Sequence, residues 1–352
     1  MNNMHTNLIK SFVFSTLFAF LATSNATAQE TSYHLPKTGV RIALLVEKTS
    51  YKPGDLAAYT QRFLKKQVVQ EENIQYRIVG VSMSPCALPD SSRIFTAHID
   101  NKRNIQQFNL SPDNILLAIN AEPRQLTEPA PFVPAPKPAA DDPYRHLNQD
   151  ILSAGSRMKM AELCAQEIYD IRESRSELTK GQADYMPKDG EQLRIMLQNL
   201  ENQETAIRQL FEGVTVCDTA QTVITFIPER DMTKVPLFRF SRHFGIVDNN
   251  DLSGEPYYMV VEDMKSCPPH INEQGKKAPK DETGIWIALP GKIRLSVSDG
   301  IVSLNTIELS ASQFGEVENL NDPLFSKKVM TRLVLNPYNG GIEDIESAPI
   351  KN

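Results

Sequence analysis

Between Gly155 and Gly213 the apolar positions recur at helical spacing, in two arms separated by a short polar stretch. In Ser156–Leu178 they fall at Ala161, Cys164, Ile168, Ile171 and Leu178, with Arg175 interrupting the stripe. In Asp189–Phe211 they fall at Leu193, Met196, Leu197, Leu200, Ile207 and Leu210, with Gln203 and Glu204 set between them. Steps of three and four residues put each set on one helical face. Neither arm holds an internal proline. Gly155, Gly181, Gly190 and Gly213 stand only at the ends, where glycine can stop a helix. Asp189, with Gln192 three residues on, is a variant of the capping box. The pattern predicts a long antiparallel helical hairpin with arms of roughly 35 Å, reversing through Lys180–Lys188, where Gly181 and Pro187 break the helix.

On both sides the chain reads as strands. Before the hairpin these are Val40–Val46, Ile74–Met83, Arg93–Ile99, Ile105–Leu110 and Ile115–Ile119, with a turn at Tyr51–Gly54 and a short helix in Asp55–Lys65. After it come Val214–Ile227, Pro236–Arg242, Tyr257–Glu262, Ile285–Leu289, Ile293–Ser298, Ile301–Leu309, Lys328–Leu335 and Gly341–Ile345. Pro290-Gly291 and Asp299-Gly300 read as tight turns, Asn336–Gly340 as a further turn, and Asp322-Pro323 as the start of a helical turn. Ser266–Glu282 is polar and reads as an exposed loop. Glu122–Pro143 carries Pro123, Pro129, Pro131, Pro134, Pro136, Pro138 and Pro143, an extended connector that either drapes over the surface or stays mobile. The expected class is α+β, with two β-rich domains, sandwich- or barrel-like, around a central hairpin. The boundaries are 29–121 for an N-terminal β domain with a short helix, 122–150 for the linker, 151–213 for the hairpin and 214–352 for a C-terminal β domain.

Composition adds a location. Lys10 precedes the apolar run Ser11–Ala22, and Ala26-Thr27-Ala28 supplies small residues at a cleavage site, so residues 1–28 read as a secretory signal peptide. The apolar run is short for a membrane span, and no later segment has the length for one. The expected product is exported and soluble, in the periplasm or at the cell surface. A net charge of -6 argues against a polyanion, so nucleic acid is excluded as a partner. Cys86, Cys164, Cys217 and Cys267 would lie in a compartment that permits disulfides. The sequence does not choose among their pairings, and Cys164 on the helical seam reads as a buried free thiol. No CxxC pair suggests zinc or redox chemistry.

A further signal lies in particular stretches taken in order. These are Tyr33–Thr38, Tyr51–Gly54, Ala161-Glu162, Ile168–Arg175, Asp184–Gly190, Leu210–Gly213, Arg239–Ser241, Gly245–Val247, Asp251–Pro256 and Gln313–Gly315. Together they resemble an exported bacterial family of uncharacterised proteins known as domain of unknown function 4831 (DUF4831). The resemblance covers nearly the whole mature chain apart from the proline-rich segment. It implies an exported whole-length unit and brings no catalytic residues with it.

Candidate chemistry is sparse. Asp248-Asn249-Asn250-Asp251 with Glu255 offers clustered oxygens for calcium, through Asp248, Asn250, Asp251 and Glu255. The spacing lacks an EF-hand's glycine and distal glutamate, and Asn and Asp favour turns, so a turn is the preferred reading. Phe238–Phe244 alternates aromatic and basic residues, a pattern that could stack on a sugar or base, but in a strand it sends the phenylalanines to the core. His34, His98, His146, His243 and His270 show no zinc spacing, Ser253 lacks a nucleophile elbow, and no phosphate loop is present. The hairpin tip is the best place for recognition, with Tyr185, Met186 and Lys188 as contact residues. The preferred reading of the apolar pair, however, folds Tyr185 and Met186 back as a cap on a neighbouring β domain, since a bare long hairpin would leave its seam poorly covered. The leading expectation is a non-catalytic binding or structural protein that needs no cofactor and engages an envelope protein or glycan. The alternative is a glycan- or peptide-acting hydrolase using dispersed carboxylates, which 43 acidic residues could always supply.

Overall fold

The computed structural model describes residues 29–99, 103–137, 141–267, 284–320 and 322–350. The segment 1–28 read as a signal peptide, most of the Ser266–Glu282 stretch read as a loop, and Pro138 lie outside the described residues. In chain order, β1 is Gln29–Lys52, α1 Thr60–Phe63, β2 Asn73–Ile99, β3 Phe108–Leu110 and β4 Leu116–Ile119. Then come α2 Gln149–Leu152, α3 Arg157–Lys180, α4 Gly190–Glu212, β5 Val214–Phe226, β6 Lys234–Ser241, β7 Gly245–Val247 and β8 Glu255–Asp263. β9 Ile285–Ser298, β10 Ser303–Leu320, β11 Val329–Leu335 and β12 Ile342–Pro349 complete the chain. The structure is mostly strand, in three sheets ordered β2-β1-β5, β10-β9-β8-β6-β7 and β12-β11-β4-β3.

β1 is the axis of the molecule. Val40, Ile42, Leu44 and Val46 alternate onto one core, shared with Phe238 and Phe240 of β6, Met259 of β8 and Ile293, Leu295 and Val297 of β9. Upstream, Tyr33 and Leu35 enter a second core with Leu116 and Ile119 of β4, Ile285 and Ile287 of β9, and Leu333 and Leu335 of β11. The buried positions are odd before Pro36 and, Gly39 apart, even after it. A strand has period two, so an irregularity must intervene, and the register with β2 does shift between His34 and Pro36. Each core thus draws strands from both sides of the helical hairpin.

β9 and β10 form a second long ribbon with a matching irregularity. Pro290-Gly291, read from sequence as a turn, lies inside β9. Ala311 pairs with Gly291 and Glu316 with Leu289, so residues 312–315 of β10 loop out opposite Pro290. A proline can sit within a ladder when the partner strand bulges away from its missing donor.

That bulge clamps β1. The Gln313 side chain accepts from the Thr38 amide at 3.1 Å and donates to the Thr38 carbonyl at 2.8 Å, as a neighbouring strand would. The Ser312 hydroxyl donates to the Pro36 carbonyl, and Arg93 donates to the Ser312 carbonyl at 3.1 Å. Above it, the buried Tyr33 hydroxyl exchanges bonds with Trp286, donating to its carbonyl at 3.0 Å and accepting from its amide at 2.7 Å.

The hairpin forms as its pattern requires. Ser156 and Asp189 cap α3 and α4 by accepting from the amides of Lys159 and Gln192. The Gln192 side chain reaches back to the Lys188 amide at 3.0 Å, closing the capping box one residue early. Gly181 ends α3 at φ 72°, in the left-handed region. At the base, α3 and α4 bury Ala161, Cys164, Ile168, Ile207, Leu210 and Phe211 with Leu56, Leu147 and Ile151. The polar interruptions of the two seams meet: Glu204, 5% exposed, accepts from Arg172 at 2.7 Å and pairs with Arg175 at 3.2 Å. Towards the tip, Leu193, Met196, Leu197 and Leu200 of α4 are only partly buried.

The proline-rich connector drapes rather than hangs free. Arg124 pairs with Glu343, Glu128 with Arg41, and Lys137 with Asp218, while the Thr127 carbonyl accepts from Tyr338. No described helix is long and apolar enough to cross a membrane.

Candidate functional site

The predicted tip residues are presented to solvent. Tyr185 is 60% exposed and Met186 39% exposed, and Lys188 beside them is also exposed. The hydrogen bonds of the tip all stay within the hairpin, from Gln182 to the Glu177 carbonyl and from Lys188 to Gln192. The fold-back preferred from sequence is therefore corrected: neither apolar side chain is buried as a cap on a sheet would be.

At the other end of the hairpin lies a site that no motif announces. A groove of about 930 Å³ runs between α4, the start of β5, the turn after β1 and the end of the proline-rich connector. Asp55, Asp141, Glu201, Asn202, Lys137 and Tyr144 stand on its walls. The Tyr144 hydroxyl donates to Asp55 at 2.5 Å. That bond to the carboxylate, with burial adding to it, pushes the phenol up to about 12. Asp141 is bonded to His146 at 2.7 Å. The groove owes its shape to close backbone packing: Leu56 donates to the Leu210 carbonyl at 2.7 Å, and a Cβ on Gly54 would stand 2.2 Å from that oxygen. The Tyr51 hydroxyl bonds the Glu212 carbonyl at 3.0 Å. Tyr51–Gly54 and Leu210–Gly213, two stretches remarked in the sequence, are therefore partners at this junction. The groove's remaining walls come from segments that carry no shared signal.

The acidic cluster is a turn. Asp251 donates its amide to the Asp248 carbonyl at 2.9 Å and accepts from the Ser253 amide at 2.9 Å. Those local bonds, the Ser253 amide first, hold the Asp251 carboxyl below its ordinary range. Arg239 ties this turn to β6, donating to the carbonyls of Asn249 and Gly254, each at 2.8 Å. Asp248, Asn250 and Asp251 thus share one turn, while Glu255 opens β8. Among the described residues no group of three acidic, histidine or cysteine side chains is gathered for a metal. Phe238 and Phe240 are buried, and Arg239 points to the opposite face. Cys86, Cys164, Cys217 and Cys267 are all free thiols, and burial raises the Cys164 thiol to about 11.

Comparison with known proteins gives one positive result. The family described as a domain of unknown function (DUF4831) matches residues 29–343, from the start of β1 into β12. No curated protein matches the chain, and neither does any solved structure.

Proposed function

The chain belongs to the DUF4831 family over nearly its whole described length, and from that premise we propose that it is an exported, non-catalytic binding module of the cell envelope. The hairpin tip, Tyr185 to Lys188, is the surface that meets an envelope protein or glycan. The observation that carries this reading is the exposure of Tyr185 and Met186 on a hairpin locked at its middle by Glu204, Arg172 and Arg175. A rigid scaffold that ends in exposed apolar anchors suits recognition, because little backbone entropy of the supporting helices remains to be lost on binding. The other stretches noted in the sequence pack against one another, Tyr33–Thr38 on Gln313–Gly315 and Arg239–Ser241 on Gly245–Val247. Asp184–Gly190 has no such partner stretch.

The test is a photo-reactive residue at Tyr185 in intact cells, with Ile301, 94% exposed, as the control position. A single adduct formed from position 185 and not from 301 is the expected result. Absence of a site-specific adduct would refute docking at the tip.

A second reading, a hydrolase acting on glycan or peptide, is favoured by the groove with Asp55, Asp141 and Glu201 on its walls. It requires turnover of such a substrate that falls at least a hundredfold in Asp55→Asn or Glu201→Gln, the order of effect for losing an acid–base group.

A further inference from the structure

We infer that β5 is a self-pairing edge through which two copies of this chain associate. β5 pairs with β1 alone, over its full 13 residues. Among the described residues, its other edge bonds no backbone group. A row of unpaired amides and carbonyls is a template for strand addition, and proteins usually blunt such rows with charges, prolines or short length. The other sheet ends are blunted in this way. β3 and β7 have three residues each, while β2, β10 and β12 carry charges or prolines along their length. β5 reads Val-Thr-Val-Cys-Asp-Thr-Ala-Gln-Thr-Val-Ile-Thr-Phe, with no proline, no glycine and only Asp218 charged. Val214, Val216 and Val223 are 41%, 42% and 54% exposed.

The occupant is set by the strand itself, which is self-complementary about Ala220. Folding the sequence there opposes Thr215 with Thr225, Val216 with Ile224 and Cys217 with Val223. Asp218 meets Thr222 rather than another acid. An antiparallel copy in this register matches apolar to apolar and threonine to threonine, and like charges never face. Opposed residues share parity, so both faces of the strand stay in phase. The contact is isologous and closes at two copies, joining the two β2-β1-β5 sheets into one. At its N-terminal end, Val214–Cys217 border the open groove. The bond from Lys137 to Asp218 joins two side chains, and among the described residues no connector backbone group bonds β5.

The test uses the full chain with Cys217 and Cys267 changed to Ser, carrying either Ala220→Cys or Thr222→Cys. At the two-fold axis, opposed Cα atoms lie about 4.5–5.5 Å apart, within the roughly 4.4–6.8 Å that a disulfide spans. The two Thr222 positions are four residues out of register, about 13 Å apart. Mild oxidation is expected to give a covalent dimer from Ala220→Cys and none from Thr222→Cys. The unaltered chain is expected to sediment as a dimer, and Ala220→Lys, which opposes two ammonium groups, as a monomer with an unchanged circular dichroism spectrum. A chain that is monomeric at every concentration, equal crosslinking at both positions, or a dimer that survives Ala220→Lys would each overturn the proposal. So would capture of an extended peptide by β5 of a monomeric chain, since another class of partner would then occupy the edge.

Discussion

The Glu204 cluster makes the sharpest quantitative prediction. Glu204→Ala removes a carboxylate whose side chain is 6% exposed and leaves two guanidinium groups without their partner. Breaking a fully buried pair costs about 3–5 kcal/mol. Here both arginine side chains are 39% exposed and can turn to water, which brings the expected cost down to about 2 kcal/mol. The loss should be local, because the base of the hairpin keeps its own core of Ile168, Ile207 and Phe211. Amide hydrogen exchange in α3 and α4 beyond Glu204 should therefore quicken by roughly thirtyfold, since 1.4 kcal/mol is tenfold. Exchange in β1 and β9 should stay as it was. In a double-mutant cycle, Glu204→Ala with Arg172→Ala should show coupling of about 1–2 kcal/mol. Replacing all three residues by leucine or methionine should recover the stability. Unchanged exchange at the tip, or additivity of the two alanines within about 0.5 kcal/mol, would refute the claim that this cluster locks the hairpin.

Four further outcomes follow from other contacts. Tyr33→Phe strips both Trp286 backbone groups of their partner and should cost about 1–3 kcal/mol; Trp286 is the only tryptophan, so its emission reports the change directly. Gln313→Ala should destabilise similarly, by about 2 kcal/mol, measured by urea unfolding, because it orphans both backbone groups of Thr38. Burial works to raise the Glu212 carboxyl, but Lys66 and Arg208 outweigh it and hold the group below its ordinary 4.5. A folded value below the unfolded one adds stability above pH 4.5 that is lost as pH falls through the folded value, so thermal scans should show Glu212→Gln losing less stability on acidification than the unaltered chain. Gly54→Ala should loosen the base of the hairpin, since the new methyl meets the Leu210 carbonyl, whereas Gly155→Ala, with nothing within 4 Å, should leave the melting temperature unchanged or slightly raised.

What the sequence revealed follows the range of the interactions concerned. The hairpin was legible because its causes are local: the seam, the caps at Ser156 and Asp189, and the stop at Gly181. β1 was visible only as Val40–Val46, because its flanks are strand only through pairing with β2 and β5. Pro290-Gly291 looked like a turn by its own chemistry, and only the bulge at residues 312–315 allows it to remain in β9. The break at Arg175 and Glu204 was apparent on each arm separately, but that the two breaks answer each other is a fact of packing. At the tip, the sequence indicated Tyr185 and Met186 but favoured the sheet over solvent for their direction, and the structure has the opposite. The groove was not legible, because its walls come from three distant segments whose polar residues resemble any surface. The same distance hid which strands share a core.

The clamp between Thr38 and Gln313 has a consequence for how the chain reaches this state. The bond joins residues 275 positions apart, and the Thr38 hydroxyl reaches the Tyr338 carbonyl 300 positions away. Loop closure on that scale is slow, and its entropy must be spent before any contact rewards it. During synthesis β1 can find β2 at once, but both of its apolar faces stay uncovered until β9, β10 and β11 have emerged. The nascent chain is therefore a long sticky ribbon awaiting its own C-terminal strands. Truncation anywhere before Leu335 should yield aggregate rather than a smaller folded protein.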